Sequence, residues 1–412
     1  MIYSKLKIPE NEEVTLLLGA GASIDANLPG TYDLTENIYN TLTEELYFSD
    51  AATIFGFIIS GLIQKKTKQG FSPFEKVNIE EVVSAIKIIS EREDLESSPF
   101  IANWHPFIEY IDKNRNYPGR QISSIIKKSF KDFSGGIKDS LKEITGKLRN
   151  NKNIDTFIDH HIDRRLNDAI RSMDYSFDEL ARILNNSLKN WESSANLFQK
   201  LYAVIHASLV EKLWIKESDR GIYLLPILDK KRYLDIFTLN YDNLLESILN
   251  EDKKLEYSDG FDEIDGQKIL TLNFDQTKRI KFFKLHGSIN WVEENQKVIQ
   301  LTEKPDSDYI PLLIIGLRDK LRADGPFLDL LFEFKNSLLR KNHLVIIGYR
   351  FQDLHINKYI EIFLSKPESR IYLICGPNLD ISKIPFLNVN IEKIENTKMY
   401  IKQFTGDLLH SV

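Results

Sequence analysis

Five short apolar runs, each closing on glycine or polar residues, constrain the fold of this chain more than any other feature. They are "VTLLL" (Val14–Leu18) before Gly19, "LDIFTLNYD" (Leu234–Asp242), "RIKFFKLHG" (Arg279–Gly287), "HLVIIGYRF" (His343–Phe351) and "SRIYLICGPN" (Ser369–Asn378). A run that stays apolar without alternating suits a strand buried on both faces. Helical patterns separate several of them, for example "LDLLFEFKNSLLRK" at Leu328–Lys341. Strands alternating with helices predict an α/β fold built on a doubly wound, parallel, Rossmann-like sheet.

The first run lies near residue 14 and the other four lie beyond residue 230. Between them the pattern turns helical. Ile79, Val82, Val83, Ile86 and Ile89 share one helical face, and so do Leu197, Leu201, Tyr202, Ile205, Leu209 and Leu213. Ile108 to Asn190 is rich in Lys, Asp, Asn and Ser, with helical spacing and few strand signals. The expectation is one sheet domain, 1–40 with 231–412, interrupted by a large, mainly helical insertion over 41–230. The apolar run Ile54–Ile63 reads as a buried helix, since a bilayer span needs about 20 residues.

Composition removes several classes of function. A net charge of −6 argues against a dedicated nucleic-acid surface, and the basic clusters Lys65–Lys66–Lys68, Lys127–Lys128 and Lys230–Lys231–Arg232 are diluted by nearby acids. One cysteine in 412 residues excludes an internal disulfide framework and a structural zinc site of several thiolates. No basic segment with an apolar core and small-residue cleavage site opens the sequence, so the expected location is the cytoplasm.

An open parallel sheet gathers ligands at the carboxyl ends of its strands. Gly19, Ala20 and Gly21 sit at the first such end, where small residues let backbone approach a pyrophosphate. The dinucleotide fingerprint is incomplete, because its third glycine falls on Ile24, and a tight turn without ligand remains the alternative. Thr238, Asn240 and Asp242 close the second run, and His286, Gly287 and Ser288 the third. Gly348, Tyr349, Arg350 and Asp353 follow the fourth, and Gly376 and Asn378 the fifth. One rim would collect all five sets.

In order along the chain, "GAGAS" (Gly19–Ser23), "LPG" (Leu28–Gly30), "TLNYD" (Thr238–Asp242), "LHGS" (Leu285–Ser288) and "GYRFQD" (Gly348–Asp353) resemble the motif set of the sirtuin-like family. Within it the chain looks like the bacterial antiphage-defence branch that hydrolyses NAD. The resemblance implies that Gly19, Ala20, Gly21 and Ser23 form the phosphate turn, and that Pro29, Gly30, Thr31 and Tyr32 lie in the cofactor loop. It implies that Asn240 and Asp242 sit beside the nicotinamide ribose, that His286 is the base, and that Thr238, Gly287 and Ser288 are among the residues binding NAD. Gly348 and Tyr349 match a phosphate-contacting loop, and Asn378 matches an adenine-ribose contact.

Protein-deacylating sirtuins carry a four-cysteine zinc module after the histidine motif, whereas Asn290 to Pro311 here holds no cysteine. No metal is expected, and NAD hydrolysis to nicotinamide and ADP-ribose leads, with NAD as substrate. A non-catalytic NAD or ADP-ribose sensor is the alternative, as is a zinc-free deacylase or ADP-ribosyltransferase. The resemblance also implies a HerA-type hexameric ATPase as partner. Homo-oligomers are expected; membrane and direct nucleic-acid binding are not.

Overall fold

A computed structural model describes residues 2–44, 49–72, 76–90, 192–216, 218–228, 231–252, 255–306, 309–316 and 325–409. By internal contacts the chain divides into two compact units, Met1–Leu34 with His206–Val412, and Thr35–Ile205.

The first unit carries eleven described strands: β1 (Val14–Leu18), β2 (Leu234–Thr238), β3 (Tyr257–Ser258), β4 (Phe261–Ile264), β5 (Gln267–Leu270), β6 (Ile280–Lys284), β7 (Trp291–Glu294), β8 (Lys297–Gln300), β9 (His343–Ile347), β10 (Arg370–Ile374) and β11 (Ile394–Asn396). Seven of them form one sheet in the order β11-β10-β9-β1-β2-β6-β3, and every pairing in it is parallel. This is the Rossmann-like α/β arrangement. From β1 the chain builds outward through β2 and β6, then returns to the other side of β1 to lay down β9, β10 and β11. The order therefore reverses at β1, which puts the crevice for a ligand at its carboxyl end.

The apolar runs are buried on both faces, as a covered parallel sheet requires. Leu16, Leu18, Ile236, Phe282 and Ile347 pack on one side with the helix Leu244–Glu251 and the segment Ser218–Ile227. Leu17, Phe237, Phe283 and Ile346 pack on the other with the helices Phe327–Arg340 and Leu354–Leu364. Successive residues of one strand thus go to opposite cores. Phe237 and Phe283, neighbours in register, stack at 4.4 Å, and Phe334 meets Phe237 edge-on at 5.0 Å.

A second sheet, β4-β5-β8-β7, is antiparallel. Two-residue turns close both of its hairpins, with Asp265 and Gly266 at φ 53° and 78°, and Asn295 and Gln296 at φ 51° and 62°. Positive φ at both central positions gives the turn twist that matches two antiparallel strands. The expectation of five strands missed this sheet.

In the second unit every described element is helical. The helices Ser49–Lys68 and Ile79–Ser90 bury Phe55, Ile58, Ile79, Val82, Val83 and Ile86. The Ile54–Ile63 run lies within the first of these, as its length predicts. The Ile89 and Leu197 side chains, and the stretch Ile108–Asn190, lie outside the described residues.

Candidate functional site

Strand register alone brings the chemistry-bearing residues into one row. Leu18 pairs with Thr238 and Ile347, Thr238 with Lys284, and Ile347 with Ile374. The ladder continues one step further, with Gly19 N donating to Ile347 O, Leu239 N to Leu18 O and Leu285 N to Thr238 O, each at 2.9 Å. Two residues past the last paired position stand Ala20, Asn240, His286, Tyr349 and Gly376. Asn240 and His286 hold equivalent positions past two directly paired strands.

The glycines of the first turn are explained by packing. A Cβ on Gly19 would lie 2.7 Å from the Gly348 carbonyl oxygen and the Tyr349 Cα, and one on Gly21 would lie 2.7 Å from the Gly348 Cα. Gly348 itself stands at φ +64°, with its Cβ position 2.2 Å from Ala22 N. Three glycines let two loops touch backbone to backbone. The turn's amides are largely engaged within the protein: Gly21 N donates to Gly348 O, Ala22 N to Gly19 O and Ser23 N to Ala20 O. Ala20 is exposed at the tip.

Asn240 braces this turn. Its Nδ2 donates to Gly19 O at 3.0 Å and to Ser23 Oγ at 2.9 Å, and its backbone N donates to Thr238 Oγ1. Its Oδ1 is buried without a hydrogen-bond partner. An orphaned buried acceptor costs about 1–3 kcal/mol, so it marks a place where a donor is wanted. The Ser23 hydroxyl also hydrogen-bonds the Asp242 carboxyl. Asn240, Ser23 and Asp242 line one small pocket together with Thr238 and Glu246.

Two of these lining residues, Asp242 and Glu246, belong to a buried charge cluster whose Lys284 and Glu246 sequence reasoning missed. Lys284, at the end of β6, donates to the Asp242 carbonyl oxygen and pairs with Glu246 Oε1 at 2.7 Å. Burial pushes the Asp242 and Glu246 carboxyls above the ordinary carboxylate range, and the Lys284 charge opposes that rise for both. Tyr223 donates to Ala22 O at 2.6 Å, and its hydroxyl is held well above its usual value by burial and then by Asp242.

His286 is buried, with Nε2 3.2 Å from Asp353 Oδ2. Asp353 caps the helix Leu354–Leu364, its Oδ1 accepting from His355 N at 2.9 Å and Ile356 N at 3.3 Å. Tyr349 is turned inward, its hydroxyl donating to Asn357 Oδ1 at 2.8 Å and bonding the Asp353 backbone. Gly287, at φ +79°, has its Cβ position 2.1 Å from Leu312 O, and Ser288 is fully buried against the Tyr241 carbonyl. These two residues pack the His286 loop.

The Pro29–Tyr32 loop meets the loop after β9. Gln352 Nε2 donates to Tyr32 Oη at 3.0 Å, and the exposed Arg350 guanidinium lies 5.6 Å from the Tyr32 ring. Gly30 N donates to Asp33. Pro29, Gly30, Thr31 and Tyr32 are half-buried, and Asn378 is exposed past β10. Among the described residues no group of three or more His, Cys, Asp or Glu side chains is arranged to hold a metal ion. Cys375 is buried and unpaired with another cysteine, and burial pushes its thiol up to about 11. No described helix is long and apolar enough to cross a membrane.

Asp353 was visible in "GYRFQD" without a role, and its place before an amphipathic helix was the signal for a cap. Nothing in the sequence joined Lys284 to Glu246. No curated protein matches the chain. Residues 235–387 match the family model of the SIR2-like domain, a span that starts in β2 and includes Asn240, Asp242, His286, Tyr349 and Asp353. The match supports a sirtuin-like family for this chain and a function related to NAD.

Proposed function

We propose that the protein is an NAD hydrolase that cleaves the nicotinamide–ribose bond to give nicotinamide and ADP-ribose. The observation that carries this reading is the placement of Asn240 and His286 at equivalent register positions past the paired strands β2 and β6. Cleavage passes through an oxocarbenium-like state, which needs orientation and electrostatics more than a strong nucleophile. Asn240, with its amide nitrogen fixed on Gly19 and Ser23, offers Oδ1 as an acceptor for a ribose hydroxyl or the attacking water. His286 takes the proton that water loses as it bonds to the anomeric carbon, while nicotinamide leaves with the glycosidic electron pair. Asp242 supplies negative charge near the developing cation.

Pro29, Thr31 and Tyr32 on one side, and the backbone of Gly348 and Tyr349 on the other, border the dinucleotide in this reading. Asn378 reaches the adenine ribose. We further propose that the enzyme acts in antiphage defence by depleting NAD in the cytoplasm, as a homo-oligomer gated by a HerA-type hexameric ATPase. The test is NAD loss with nicotinamide release, with and without that ATPase, for wild type, Asn240→Ala and His286→Ala. Turnover by wild type and loss in both variants is expected, whereas unchanged turnover in both variants sinks the assignment. Tight ADP-ribose binding without nicotinamide release would instead make the protein a sensor.

A further inference from the structure

The contact between His286 and Asp353 is built from two parts of the sheet domain that are 67 residues apart in the chain. Asp353 divides its carboxylate between two tasks. Oδ1 is fixed by two amides at the start of an eleven-residue helix, and Oδ2 stands 3.2 Å from His286 Nε2. Its backbone is held as well, since the Asp353 N–H donates to Tyr349 Oη at 3.2 Å. Asn357, one turn into the helix, accepts from that hydroxyl and donates to Phe351 O at 2.7 Å. Phe351 is buried at φ +58°, a conformation that a bulky residue rarely adopts and that the surrounding bonds enforce. A helix cap needs only one oxygen, and this fixation keeps the second beside the His286 ring.

We propose that Asp353 is a positioning residue for His286: it holds the imidazole with its proton on Nε2, so that Nδ1 is the nitrogen that accepts a proton from substrate or water. This rests on the hydrolase reading above. A carboxylate beside one ring nitrogen selects the tautomer protonated there and stabilises the imidazolium that forms. Asp353 touches neither substrate nor water in this role and acts through His286 alone.

Asp353→Asn is the discriminating variant. Asparagine caps a helix as well as aspartate does, so the fold is kept. Its amide can donate to Nε2, which drives the ring proton to Nδ1 and removes the acceptor. The expected result is a fall in kcat of at least about a hundredfold, with the KM for NAD and the thermal midpoint within error of wild type. The second readout does not depend on turnover. Long-range proton–nitrogen NMR on imidazole-labelled protein, with the His286 signals assigned by their loss in His286→Gln, should show Nε2–H in wild type and Nδ1–H in Asp353→Asn.

Three results are decisive. An inactive His286→Ala beside a fully active Asp353→Asn overturns the role of Asp353 and leaves the hydrolase reading standing. An unchanged His286 tautomer in Asp353→Asn overturns it whatever the activity. Wild-type turnover surviving in His286→Ala refutes the assignment of His286 as base, and with it the positioning role built on that base.

Discussion

Replacing Lys284 by methionine should destabilise the sheet unit in a way that grows with pH. Lys284 is 2% exposed and its only described salt-bridge partner is Glu246, itself 5% exposed, while its ammonium also reaches the Asp242 carbonyl. Two buried carboxyls therefore share one cation. Taking that cation away leaves both without a counter-charge, and breaking a buried pair by removing one partner costs about 3–5 kcal/mol. Glu246→Gln is milder, because Lys284 keeps the Asp242 charge and carbonyl, and about 1 kcal/mol is expected. Lys284→Met with Glu246→Leu should recover at least about 1 kcal/mol of the single-variant loss, since no unpaired Glu246 carboxylate remains.

The sign of the pH effect follows from the carboxyls. Burial raises both above their unfolded values while Lys284 holds them down, so its loss raises them further. An acid whose folded pKa is raised gives stability below its unfolded value and loses it as pH climbs through the folded one. The Lys284→Met penalty should thus be smallest near pH 5 and largest near pH 8. Urea unfolding followed by tryptophan fluorescence, to which the buried Trp291 contributes, reads this, the midpoint shifting at constant slope. Equal penalties at pH 5 and pH 8, or a double variant less stable than Lys284→Met, would refute the reasoning.

Gly348→Ala forces a side chain into φ +64° and within 2.2 Å of Ala22 N, so it should cost about 3 kcal/mol or more, whereas Gly266→Ala at φ +78° in open space should cost about 1–2 kcal/mol; thermal melts compare them. Cys375 is buried with its thiol raised to about 11, so iodoacetamide at pH 8 should label it only after unfolding, as read by intact mass. Burial lowers His206 to about 4, so the unfolded chain takes up a proton that the folded one refuses. Stability should fall as pH drops from about 6.5 towards 4, by up to about 3 kcal/mol, and His206→Gln should flatten that part of the curve.

The strands of the parallel sheet were legible because burial on both faces leaves continuous apolar runs, and the rim was legible because register is shared along a sheet. Knowing that Thr238 pairs with Lys284 is enough to set Asn240 opposite His286. The antiparallel sheet was hidden by its exposure: β4 reads Phe-Asp-Glu-Ile and β5 Gln-Lys-Ile-Leu, which alternate too weakly to stand out. Asp265–Gly266 was the local signal for that hairpin, and the loop-like composition around it masked it. Contacts made through the third dimension left no local pattern. Lys284 and Glu246 are 38 residues apart, and each alone reads as a solvated charge.

The glycine turn is the case where the sequence supported two readings, and the structure adds a packing reason for its glycines. Gly19 and Gly21 invite a phosphate, yet both are required by the approach of Gly348, and the amides of Gly21, Ala22 and Ser23 already have carbonyl partners. The packing of this turn also has a consequence for Asn240. It gives Asn240 Nδ2 two acceptors, Gly19 O and Ser23 Oγ, and leaves Oδ1 as the end of that amide with no hydrogen-bond partner. If the turn acts mainly through Asn240, Ser23→Ala should lower kcat more than it weakens ADP-ribose binding, because Asn240 loses one anchor while the backbone keeps its shape. A variant with normal kcat and weakened ADP-ribose binding would return the turn to the role of phosphate cradle.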